Sequence, residues 1–202
     1  MTSRRQILQY GLALPTLAAS VMPAWQALAA APQAVRLERF IFDARFAESA
    51  AMGEHAVRLG IEAAPIADDL MSLWYDELDR RWRSAPMALA GVTMAEALFV
   101  LETFALDRGM HVVYRGEHGA VAQGHVTHRL AGPAAVLERV APLPAAWAPA
   151  LCDALAHCPV GKSPTVTAEH RTSVSGLSLR DVVLHSWIIA PRSVVPTMVA
   201  GK

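Results

Sequence analysis

Between Val35 and Arg115 four short apolar stretches alternate with three helical ones, and this alternation limits the possible folds more than any other feature of the chain. Val35 to Ala44 reads as a first strand, with Phe40, Ile41 and Phe42 continuous enough to be covered on both faces. A helix is expected from Ala47 to Leu59, with Gly60 as its stop, and a short extended piece from Ile61 to Ile66. The next helix, Leu70 to Arg83, should bury Leu70, Leu73, Trp74, Leu78 and Trp82 along one side. Met87 to Val92 reads as a strand, Met94 to Asp107 as a helix whose start Thr93 and Glu96 would cap, and Met110 to Arg115 as a strand again. Strand and helix in strict alternation imply a parallel sheet flanked by helices.

Beyond Arg115 the pattern changes. Gly116-Glu117-His118-Gly119 reads as a turn, and Val121 to Leu130 as a strand returning antiparallel. Short helices follow around Ala134 to Val140 and from about Ala146 to His157. Pro159 to Ser178 is polar and aperiodic and reads as a long loop, and Leu179 to Ala190, holding Trp187, as a last apolar strand. The expected fold is therefore α/β: a single domain with a mixed, mostly parallel sheet flanked by helices, ending in a C-terminal antiparallel hairpin and strand.

Open α/β sheets bind ligands outside the carboxyl ends of their strands. Right-handed crossovers would bring Asp43, Asp68 and Thr93 to that edge, together with Arg45, Asp69, Arg115 and Glu117. Acid and base in one crevice suit a polar ligand. Capping explains Asp68 and Thr93 equally well, and an ion pair closing the sheet edge explains Asp43 with Arg45. The apolar strand ending in Asp43 resembles the start of phosphatases of the haloacid dehalogenase type, which need a second Asp two places on. Here that place holds Arg45, so the resemblance carries no activity over.

His111, His118, His125 and His128 fall on the expected hairpin. Histidines facing each other there suit a metal, and His111 paired with His125 or His128 across the strands is the weak candidate set; solvated hairpin histidines are the plainer expectation. His125 and His128 are three apart and point to opposite faces of one strand. Gly161-Lys162-Ser163 lacks the glycine and the strand of a phosphate loop, and Ser175-Gly176 lacks the strand-to-helix elbow of a serine hydrolase. No cofactor is identified by a motif. Trp74 and Trp82 have the spacing of core residues. Cys152 and Cys158 are the two cysteines; one continuous helix would hold them apart, whereas a helix ending before Pro159 leaves a disulfide open.

The N-terminus carries an address. Met1 to Arg5 is charged, Ile7 to Val21 is mostly apolar, and Ala27-Leu28-Ala29 is a small-x-small cleavage signal. Ser3-Arg4-Arg5-Gln6-Ile7-Leu8 resembles the twin-arginine signal, which implies export of folded cargo to the periplasm. Residues 1–29 are then a cleaved signal peptide and 30–202 a single α/β domain. Pro15 and Pro23 break the apolar run, so no stable membrane span is expected after cleavage. Lys and Arg together number 18, as do Asp and Glu, so nothing marks a nucleic-acid surface. A folded-export signal, no self-sufficient cofactor motif and a 53% hydrophobic composition point to a non-catalytic accessory or small subunit of an exported oxidoreductase. The alternative is a small-molecule-binding protein or enzyme using the polar crevice at the sheet edge.

Overall fold

A computed structural model describes residues 36–67, 70–121, 124–140, 143–158, 164–173 and 182–191, all within the compact unit Pro32–Lys202. The expected signal segment at residues 1–29, Asp68, Asp69, Gly161 to Ser163 and Ser175-Gly176 lie outside the described residues. The strands are β1 (Leu37–Asp43), β2 (Glu62–Ile66), β3 (Ala88–Thr93), β4 (Met110–Val121), β5 (His125–Pro133), β6 (Thr165–Ser173) and β7 (Val183–Pro191). The helices are α1 (Ala47–Arg58), α2, α3 (Ala95–Leu106), α4 (Ala134–Val140) and α5 (Trp147–Ala156), with α2 running continuously through Leu70–Leu73, Trp74–Leu78 and Asp79–Ser84.

The middle of α2 is a π-helical turn, in which the Asp79 N–H donates to the Trp74 carbonyl. Its cause is visible in the sequence. Leu70, Trp74, Leu78 and Trp82 recur every four residues, and in a regular α-helix that row drifts by about 40° per step. A wider turn cancels the drift and keeps all four buried. Trp74 meets Trp82 edge-on, with centroids 5.8 Å apart, and stacks on Phe104 of α3 at 4.4 Å, which makes both tryptophans core residues.

One seven-stranded sheet forms the centre, in the order β2-β1-β3-β7-β4-β5-β6. β1 pairs in parallel with β2 and with β3. Every other pairing, β3 with β7, β7 with β4, β4 with β5 and β5 with β6, is antiparallel. The α/β class holds, but the expectation of a mostly parallel sheet is corrected. β7 enters between β3 and β4, because Leu184 and the run Trp187 to Ala190 are apolar toward both faces and need a central position. β4 still runs in the direction of β3, so the carboxyl ends of β1, β2, β3 and β4 do point the same way.

Three further expectations change. Gly116 to Gly119 is not a turn: β4 continues through it to Val121, and the positive-φ glycine of the hairpin is Gly124. The long loop expected from Pro159 holds β6, paired with β5 along its length. The helix start at α3 has Met94 as its N-cap and no side-chain cap, so Thr93 and Glu96 form no capping box. The cysteines are not joined: α5 carries Cys152 and ends before Cys158, and both are buried thiols.

Side chains alternate across the sheet into two cores. Phe40, Val92, Tyr114, Leu130 and Ile188 pack with α1, α4 and α5, while Ile41, Leu89, Met110, Trp187 and Ile189 pack with α2 and α3. α1 and α2 lie on opposite faces, as crossovers of one hand require when the chain steps from β1 to β2 and then back past β1 to β3. Ser49 ties the first of these to the sheet, accepting from the Asp43 N–H at 2.8 Å and donating to the Val92 carbonyl at 2.9 Å. No helix among the described residues is long and apolar enough to cross a membrane.

Candidate functional site

The strand register sets residues side by side in a row across the sheet. Ile66 pairs with Asp43, Thr93 with His185, His185 with Glu117, Glu117 with Arg129, and Arg129 with Glu169. Paired residues share a face, so Asp43, Thr93 and Glu117 all lie on the α2/α3 side. The structure nevertheless separates Asp43 from Glu117 and leaves Thr93 at neither place.

Asp43 and Arg45 stand at a crevice of about 510 Å³, walled by Leu70, Met71, Met94 and Val100, with Glu96 also on its lining. The Asp43 side chain is only 1% exposed, and Arg45, 46% exposed, grips it through both carboxylate oxygens: Nε to Oδ1 at 2.9 Å and Nη2 to Oδ2 at 2.7 Å. The Arg45 N–H also donates to Oδ1 at 3.1 Å, closing a local turn. A bidentate pair of this kind fixes the geometry of the rim. Thr93 does not line the crevice. It is buried, donating to the Met94 carbonyl and accepting from Trp187 Nε1, both at 3.1 Å, which pins β3 to β7.

Arg115 and Glu117 belong to the second place, a shallow hollow of about 350 Å³ over β4, β5 and β6 with Arg129, Thr167 and Glu169. Arg115 bonds Glu102 of α3 at 2.7 Å. Arg129 lies 3.9 Å from Glu117 and 3.5 Å from Glu169. These are exposed pairs of alternating sign on a face that α3 covers only at its β7 and β4 side, and each is worth little by itself. His185, between Thr93 and Glu117 in the row, has its pKa lowered chiefly by burial.

His118 and His128 come out differently from either expectation. His111 pairs with Ala190, seven residues and about 23 Å along β4 from His118. His125 faces Ser173, whose hydroxyl lies 3.1 Å from its Nδ1. His128 meets neither of them. It opposes His118, with the two Nδ1 atoms 2.8 Å apart, and both rings are wholly buried rather than solvated. His111, His125 and His128 are therefore not brought together, and no set of three or more metal-ligating side chains converges among the described residues.

His118 and His128 belong to a chain of polar groups inside the α1/α4/α5 core. His118 Nε2 lies 2.7 Å from Ser186 Oγ, which lies 3.3 Å from the Tyr114 hydroxyl. Trp147 of α5 stacks on His118 with centroids 4.6 Å apart and packs at a tilt on His128 at 4.9 Å. Burial, with His128 and His185 nearby, holds the His118 pKa well below the usual imidazole value. Burial, with His170 across the ladder, brings His128 down to about 4. Both rings are neutral at pH 7. Serine, histidine and an orienting group in sequence have the connectivity of an acyl-transfer relay, but Ser186, His118 and His128 are closed to solvent, so here the chain is a core network.

Sequence reasoning passed over Ser186, Tyr114 and Ser49. The signal for the first two was the period of two, since Tyr114, Gly116 and His118 share a face, as do Leu184, Ser186 and Ile188. Comparison with protein-family models, curated proteins and solved structures finds no match to this chain. The class defined by fold and geometry is a mixed α/β domain with a rim crevice.

Proposed function

We propose that this is an exported, periplasmic small-molecule-binding protein, sent out folded by the twin-arginine-like signal in residues 1–29, whose ligand occupies the crevice between α2 and α3. The crevice itself carries the reading. Its volume of about 510 Å³ falls within the ~300–1,000 Å³ usual for ligand pockets. It stands at the carboxyl ends of β1 and β3, where open α/β sheets receive ligands. Leu70, Met71, Met94 and Val100 supply apolar contact, while Asp43, Arg45 and Glu96 supply polar groups. Among the described residues two carboxylates stand against one guanidinium, which favours a ligand with an apolar body and a neutral or cationic head.

The test is native mass spectrometry of the protein taken from its own periplasm, followed by thermal-shift titration with amphipathic amines. A small retained mass and a rise in Tm that Ala97→Trp abolishes are the expected results. A bare chain that no such compound stabilises would overturn the proposal.

A second reading, a non-catalytic accessory or small subunit of an exported oxidoreductase, is favoured by one observation. Phe99 and Leu106 of α3 are 70% and 54% exposed and lie seven residues apart, hence on one side of the helix, and Tyr75 of α2 is 70% exposed. A larger co-purifying mass in the same experiment, lost on Phe99→Asp, would select this reading over the first.

A further inference from the structure

The two edges of the sheet are built differently. β2 is five residues long and contains Pro65, and Glu62 on it is engaged by Arg39 of β1, so it is short and poorly suited to accept another strand. β6 is nine residues long, with no proline, glycine or lysine and no register shift against β5. Among the described residues no strand pairs with its outer side. A long, regular edge of that kind is a template for pairing unless something opposes it.

The charges on β6 select the partner. Glu169 and Arg171 are exposed and share the α2/α3 face, with His170 between them on the other. When two copies of one strand pair antiparallel about a two-fold axis, opposed residues must lie on the same face, so the residue on the axis faces itself. With Glu169 on the axis, like carboxylates oppose each other; with Arg171 there, like guanidinium groups do. With His170 on the axis, Glu169 opposes Arg171 of the second copy twice over, Ala168 opposes Thr172, and Thr167 opposes Ser173. Opposite charges and Thr/Ser pairs across a ladder are favourable, and like charges are not. The same register continues the alternation already present in the sheet, where Glu117, Arg129 and Glu169 stand in one row.

We propose that β6 is a self-complementary edge through which two copies of this chain join antiparallel about His170 into one continuous sheet. The contact is confined to strand edges, so the dimer is concentration-dependent and rapidly exchanging. It leaves the crevice between α2 and α3 open and does not rest on what that crevice binds.

Sedimentation velocity of the purified protein over a concentration series tests it, with Glu169→Arg, Arg171→Glu and the double exchange. Each single exchange sets like charges opposite each other and is expected to weaken dimerisation by about tenfold or more. The double exchange restores the pairing and should restore the dimer. Circular dichroism checks that each variant is folded, and either single exchange suffices if the other is not. A protein that is monomeric at every concentration, a dimer indifferent to both exchanges, or a different chain found bound at β6 would each overturn the proposal.

Discussion

His118 Nε2 stands 2.7 Å from Ser186 Oγ across the β4/β7 ladder, under the ring of Trp147, in a space that exists because residue 116 has no side chain. A Cβ at Gly116 would come within 2.5 Å of Ser186 Oγ, 2.7 Å of the Tyr114 hydroxyl oxygen and 3.1 Å of His118 Nε2. The glycine pattern that reads as a turn in sequence is the clearance for a buried hydrogen-bond network.

Ser186→Ala should cost about 1–3 kcal/mol, because it leaves the His118 ring nitrogen and the Tyr114 hydroxyl buried without Ser186. Gly116→Ala should cost at least as much through overpacking. Since both act on the same atoms, the double variant should be less destabilised than the sum of the two. Urea unfolding of the four proteins measures this, and strict additivity would mean that the network is not shared.

The same network sets a pH limit. The unfolded chain binds protons on His118 and His128 below about pH 6.5, whereas burial holds the folded-state His128 down to about 4 and depresses His118 well below the usual imidazole value. The unfolded state thus holds more protons between these values. Stability is full above pH 6.5 and is lost as pH falls toward 4, by about 3 kcal/mol from His128 alone. Unfolding free energies at pH 7.5, 6, 5 and 4 check the sign, and His128→Phe should flatten the curve.

The first half of the fold is legible in sequence because its signals are local. β1, α1, α2, β3 and α3 follow from short continuous apolar runs and from apolar periods of about four within windows of a dozen residues, and the structure keeps their boundaries to within a residue or two. The place of β7 is not local information: it pairs with β3 about 95 residues earlier in the chain. β6 escaped notice because Thr165 to Ser173 is an edge strand exposed along most of its length and has no apolar alternation to reveal it. Asp43 and Arg45 were found by position alone, through the rule that strand ends form sites. Thr93 obeyed the same rule, yet its hydroxyl went to Trp187, a residue that only tertiary structure brings near.

At the crevice rim, Arg45→Ala should cost about 1–3 kcal/mol, by leaving a buried carboxylate without its bidentate partner; the figure is discounted because the arginine is half exposed. Asp43→Asn with Arg45→Ala should recover part of that loss, since the uncompensated charge disappears. Thermal unfolding of both variants decides it. If the double variant is the less stable, Asp43 contributes through its hydrogen bonds rather than as a charge to be neutralised.

Cys152 and Cys158 supply the last test, and it bears on the proposed export. Burial pushes both thiols up to about 12, so neither is ionised at pH 8. The Cys152 thiol is further held against the Met52 carbonyl at 3.5 Å. Thiolate is the reactive form, and neither sulfur meets solvent. A thiol reagent at pH 8 should therefore label no cysteine in the folded protein and both in denaturant, at a rate set by unfolding. An oxidising compartment acts on thiols through the same thiolate. On the proposed export, the two cysteines should consequently remain unlinked for as long as the domain stays folded, and mass spectrometry of protein taken from the periplasm, alkylated only after denaturation, would find both modified. A protein that resists alkylation until a reductant is added would show instead that the pair was oxidised before the core closed around it.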